Sequence, residues 1–176
     1  MKTTINKQEL IELDACKSGF ETFVGAHCDN AASFSECLKS NGIDDVLWML
    51  SKINNELSEV QHNDLHLLAC DYAESVLHLF ENDYPKDKRP RLAIQAKRDF
   101  VAGMITPEEL DAVRAAAWAA AWAAAGDVAR AAAWAAAWAA AGDAARDAAG
   151  YAAWAVAGDA QTEMLMAVLL KWEEKR

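Results

Sequence analysis

Three copies of a sixteen-residue period constrain this chain more than any other feature. Arg114, Arg130 and Arg146 recur at that spacing, as do Trp122, Trp138 and Trp154. Gly126, Gly142 and Gly158 follow the same step, each succeeded by aspartate at Asp127, Asp143 and Asp159. Trp118 and Trp134 also match, whereas the third copy has Gly150 there, followed by Tyr151. Alanine fills most of the rest: 28 of the 47 residues from Arg114 to Ala160. The period is too short for a two-helix solenoid unit, which takes more than about 30 residues. It fits one helix and its turn, and alanine is the strongest helix former.

Two helical arrangements compete. A continuous rod from Thr106 to Ala160 would be roughly 80 Å long, and each sixteen-residue step would turn about 160° around it. Trp118 and Trp122 would then face nearly opposite to Trp134 and Trp138, leaving no single apolar seam. Breaks at Gly-Asp give the other arrangement. Glycine closes one helix in the left-handed region and aspartate caps the next. Each short helix then carries its two tryptophans four apart on one face, with arginine one turn earlier on that face, in reach of the indole. Asp127 with Arg130, and Asp143 with Arg146, are spaced to pair at three residues. Asp111 and Arg114 repeat that pair, but Leu110 stands where glycine should be. Broken, stacked helices are the favoured reading, because alanine faces permit close approach and tryptophan fills what alanine cannot.

The fold class is therefore all-α: a compact multi-helix domain ending in an Ala/Trp-rich repeat of short stacked helices. The 176 residues suit a single domain with a real core. It divides into an acidic helical part over 1–105, the repeats over 106–160 and a terminal helix over 161–176. Apolar residues at three- and four-residue steps predict a first helix from Lys7 to Val24, ended by Gly25. Asn30 is expected to cap a second helix through Leu38, stopped at Asn41-Gly42, and Asp44 or Asp45 to begin a third. Further helices are expected from Gln61 to Glu81, from Pro90 to Phe100 with Gly103 behind it, and from Asp159 to Glu174. Thr106-Pro107-Glu108-Glu109 is the clearest local signal: threonine caps, proline takes the first helical position and Glu109 completes a capping box.

The formal charge of −10 argues against nucleic-acid binding, which requires a basic patch. Residues 1–113 hold 20 acidic and 11 basic residues, whereas residues 114–176 hold 7 and 6. The amino-terminal part thus carries an acidic field, suited to solubility or to steering a basic partner. No stretch reads as membrane-spanning once alanine is discounted. The opening Met1 to Lys7 lacks the apolar run of a signal peptide. Cys16, Cys28, Cys37 and Cys70 have no CxxC spacing, which points to reduced thiols and a cytoplasmic location.

Enzymatic and metal constellations are weak. His62, His66 and Cys70 fall four apart on one helix face, but no fourth ligand stands at a matching spacing and the histidines read better as surface residues. His27 and Cys28 are adjacent and so point apart. The basic cluster Lys86, Lys88, Arg89 and Arg91 reads as a solvated loop before it reads as a contact to an acidic partner. No phosphate-cradling loop and no acid, base or nucleophile set is present, so neither catalysis nor a cofactor is expected. Trp118, Trp122, Trp134 and Trp138, with Arg114 and Arg130, remain as candidate partner-binding residues. Their bland role is core filling. Their sharper role is a partly exposed Trp/Arg surface, since both types are enriched in binding hot spots.

The stretch Arg89-Pro90-Arg91-Leu92-Ala93-Ile94, continuing through Phe100-Val101-Ala102-Gly103 and Thr106-Pro107-Glu108-Glu109-Leu110, runs directly into the alanine tract. With the opening Leu10-Ile11-Glu12-Leu13-Asp14-Ala15-Cys16 and the segment Asp45-Val46-Leu47-Trp48-Met49-Leu50, it resembles the Imm-five-like immunity proteins, small all-helical proteins of bacteria and their phages. The resemblance runs in order along nearly the whole chain. It implies an antidote of polymorphic-toxin systems that binds a protein. The family often carries tyrosine where this chain has tryptophan, and it brings no catalytic residues with it.

The resulting expectation is a non-enzymatic, cytoplasmic protein that neutralises a protein partner, a toxin or defence effector of basic character, by direct binding. One alternative is a phage-encoded inhibitor or nucleotide sponge acting on a host defence, anti-CRISPR activity included. Another is a self-assembling structural protein, with alanine faces driving homo-oligomers.

Overall fold

The computed structural model of the protein describes residues 1–124, 127–141 and 158–175. The third repeat, with Arg146, Gly150, Tyr151 and Trp154, lies outside the described residues, as do Gly126 and the side chain of Trp138. The chain is all-α, and its strands are two residues long. It divides into two units, Met1–Gln61 with Thr162–Arg176, and His62–Gln161.

The first unit opens with strand β1 (Thr4–Ile5), which pairs antiparallel with β2 (Ala32–Ser33). Between and after them run α1 (Lys7–Glu12), α2 (Lys17–His27), α3 (Phe34–Asn41) and α4 (Ile43–Lys52). The sequence predicts one helix where α1 and α2 stand. Asp14 separates them, at φ 58°. Its N–H donates to the Ile11 carbonyl and that of Ala15 to Leu10, the paired closure that usually recruits glycine. Aspartate tolerates this left-handed region better than most residues, so apolar periodicity runs on through a real stop. Cys16 then caps α2, its Sγ accepting from the Gly19 N–H at 3.4 Å.

Gly25 does not end α2; the helix continues to His27 and stops at Cys28, at φ 57°. Asn30 is not the cap of α3 either. Ser33 is, in a capping box with Glu36, which releases Ala32 and Ser33 to form the ladder with β1. Gly42, at φ 84°, closes α3 and opens α4 one residue before the predicted aspartates. Side chains tie this unit together. Ser35 donates its N–H to Glu173 of α9 (Gly158–Glu173) at 3.4 Å, and Gln61 Nε2 donates to the Lys2 carbonyl at 2.6 Å. Phe23, Phe34, Val46, Leu165 and Trp172 are among its buried residues.

The second unit holds most of α5 (Glu59–Asp83), then α6 (Arg89–Val101), α7 (Pro107–Ala123) and α8 (Asp127–Ala141). Gly103, at φ 72°, turns α6 toward α7. Thr106 starts α7 as its motif predicts: Oγ1 accepts from the Glu109 N–H, and the Glu109 carboxylate accepts from the Thr106 N–H. α6, α7 and α8 all pack against one another. Their contact is mostly alanine: Ala93, Ala96, Ala117 and Ala137 cluster with Leu110, and Phe100, Ile105, Val113 and Trp118 pack around them. In α8, Ala131, Ala132, Ala133, Ala135, Ala136, Ala137 and Ala139 are all 0% exposed. These positions cover about two thirds of the helix circumference at 100° per residue, and the remaining arc carries the half-buried Arg130 and Trp134. Methyl groups allow axes to approach near the short end of the 8–10 Å range.

At the first Gly-Asp position the helix does break. α7 ends at Ala123, Ala124 is extended (φ −69°, ψ 126°), and Asp127 is the first residue of α8. The two helices fold back on one another there, so residues 107–141 are not a rod.

Candidate functional site

The packing of α7 against α8 brings two of the repeat tryptophans together. Trp122, in the last turn of α7, meets Trp134 of α8 edge to face, with centroids 5.8 Å apart and planes at 73°. Aromatic quadrupoles favour this arrangement. Trp122 is 72% exposed, the most exposed large hydrophobic residue among those described, while Trp134 is half-buried.

Trp118 shares a helical face with Trp122 but has a different environment. One turn further from the helix end, it is half-buried against the alanine cluster of α6, α7 and α8. The same spacing therefore yields a packing residue and a protruding one.

The two arginines also differ. Arg114 forms a surface ion pair with Asp111 at 3.2 Å, the three-residue pairing that the sequence suggests. Arg130 instead reaches back across the break. Its Nε and Nη2 both donate to the Ala124 carbonyl, at 3.2 and 3.1 Å. Sequence spacing alone places arginine near an indole; that it would cap the preceding helix is visible only once the break is located.

Elsewhere the candidate chemistry is absorbed by structure. Cys70 is buried, its Sγ donates to the Ile94 carbonyl at 3.8 Å, and burial pushes its thiol up to about 12. Burial also lowers His66 to about 4, with the charges of Lys97 and His62 acting in the same direction. Among the described residues no three His, Cys, Asp or Glu side chains are arranged to hold a metal. His27 Nε2 meets Ser40 Oγ at 3.0 Å, and Cys28 is an exposed helix end.

Three of the four cations of the basic cluster are paired. Lys88 pairs with Glu81, Arg89 with Asp87, and Arg91 with both Glu81 and Glu74. Arg91 and Lys88 hold the Glu81 carboxyl down to about 2. A shallow pocket of about 250 Å³ lies beside these pairs, lined by Leu77, Leu92, Ile94 and Arg98 among others. Arg98 there is engaged by Asp71 and Glu74, each at 2.7 Å. No helix among the described residues is long and apolar enough to cross a membrane.

No curated protein and no solved structure matches the chain. A family profile does, over residues 55–176, a span that takes in α6, α7, α8 and the Trp122–Trp134 pair. That span is well over half of the sequence, and the chain belongs to the family described as Imm-5 like putative immunity protein.

Proposed function

We propose that this protein is a non-enzymatic, cytoplasmic immunity protein that neutralises a protein toxin by binding it directly. The observation that carries the reading is Trp122. A large indole 72% exposed, held against a second indole, is a poor way to stabilise a fold and a good way to present a binding anchor. Tryptophan and arginine dominate interface hot spots, and a preset aromatic loses little freedom on docking. Trp134 backs Trp122, Trp118 and Trp138 belong to the same repeat, and Arg114 flanks it on α7. The family membership supports a protein partner. The net charge of −10 supports a basic one, since complementary fields raise association rates.

The test is capture from the native host with the full-length protein as bait, compared with a Trp122→Ala bait, and read by mass spectrometry. The reading requires one stoichiometric protein on the parent bait that is lost or strongly depleted on the variant. Equal recovery on both baits, or recovery of bait alone, contradicts it.

A further inference from the structure

We propose that Arg130 is the positioning residue of the Trp122 surface: it clasps the end of α7 to the start of α8 and so sets the Trp122–Trp134 pair. A helix end leaves its last carbonyls without intrahelical partners. Ala124 stands at the carboxyl end of α7, donates its own N–H to Ala120, and turns extended. Its carbonyl receives two donors from one guanidinium, Nε and Nη2 of Arg130.

The location of Arg130 fits this role. It is in the first turn of α8, where a cation opposes the positive end of that helix's own dipole. By reaching back six residues it instead places the charge at the negative end of α7, where a cation is favoured. Arginine suits the task better than lysine, because its planar fork presents adjacent donors in fixed geometry.

Arg114 supplies an internal comparison. It occupies the same position in the repeat, but Leu110 replaces the glycine and α7 has been helical since Pro107. With no helix end upstream to clasp, Arg114 turns to Asp111. The break, not the arginine alone, decides what the repeated residue does.

The clasp acts on the candidate surface through short paths. Ala124 is two residues beyond Trp122, and Trp134 is one helical turn beyond Arg130 on α8. Fixing Ala124 to Arg130 therefore ties the end of α7 to α8 beside the two indoles. The functional weight of this role rests on the reading of Trp122 as a contact residue; the clasp itself does not.

The experiment is far-ultraviolet circular dichroism of the full-length protein without any partner. An edge-to-face indole pair gives an exciton couplet, and the Trp122→Phe variant defines the part due to this pair. Arg130→Ala should lose most of that part while the helical signal is retained, and Arg130→Lys should recover some of it. Parent amplitude in Arg130→Ala overturns the proposal. Should the alanine variant fail to fold, Arg130→Lys is read against the parent: reduced amplitude supports the clasp and full amplitude overturns it. Partner capture that is indifferent to Trp122 would sink the surface reading and leave this measurement untouched.

Discussion

Trp122 and Trp134 lie twelve residues apart on two different helices, yet their rings meet at 5.8 Å, edge to face. The contact spans the first break in the alanine repeat and leaves one partner in solvent and the other half-buried. It joins the repetitive part of the sequence to the proposed docking surface.

Removal of Trp122 should destabilise less than removal of Trp118. Substitutions at exposed positions usually stay within about 0.5 kcal/mol, and loss of one aromatic pair adds about 0.5–1.5 kcal/mol. Trp118→Ala should cost more, about 2–4 kcal/mol, because its ring fills space beside the alanine cluster. Urea unfolding of both variants checks the order; equal destabilisation would show that Trp122 is a packing residue after all.

Enlarging the alanine interface should be severe. Ala117 and Ala137 are both 0% exposed in the cluster shared by α6, α7 and α8. Ala137→Leu forces the helices apart and should destabilise by about 1–3 kcal/mol or more. Thermal melts report this directly, and a neutral result would mean that the helices do not approach as closely as described.

Much of this was legible before the structure. The Thr106 capping box and the stop at Gly42 follow from local chemistry, and each stands where its residues predict; α7, by contrast, ends at an extended Ala124, ahead of the Gly-Asp pair expected to break it. The division of α1 from α2 was not legible, because an aspartate, not a glycine, takes the left-handed closing position at Asp14. Ser33 with Glu36 offered a readable capping box, but Asn30 competed for the role. At the candidate site, sequence places Trp118 and Trp122 on one face and cannot say which is covered, since cover depends on where neighbouring helices end. The pairing of Trp122 with Trp134 and the clasp of Arg130 on Ala124 both need the tertiary turn.

Acid should weaken the fold through His66. Burial holds its folded value at about 4, against an ordinary 6.5. Between these values the unfolded chain takes up a proton that the folded chain refuses, so stability falls as pH drops from 6.5 toward 4. His66→Gln should flatten the slope in that window, measured by urea unfolding at pH 4.5 to 7; an unchanged slope assigns the acid sensitivity to other groups.

Thiol chemistry should divide the four cysteines in two. Cys16 and Cys28 are exposed, whereas Cys37 and Cys70 are buried with burial pushing both thiols up to about 12. In the native protein two thiols should react quickly with an aromatic disulfide reagent and two only after denaturation. Cys16 should lead, because the Ser18 hydroxyl and the Gly19 N–H lower its thiol and reactivity follows the thiolate. Peptide mapping after brief labelling checks the assignment, and early modification of Cys37 or Cys70 would contradict the packing.

The most direct test of the binding surface is calorimetric titration of the captured partner against the parent protein and against Trp122→Ala. A hot-spot indole contributes about 2 kcal/mol or more, roughly a thirtyfold change in affinity. A loss of that size is expected from a variant that remains folded. Equal affinity for both proteins would show that the partner docks elsewhere and that the exposed indole of Trp122 is not the anchor.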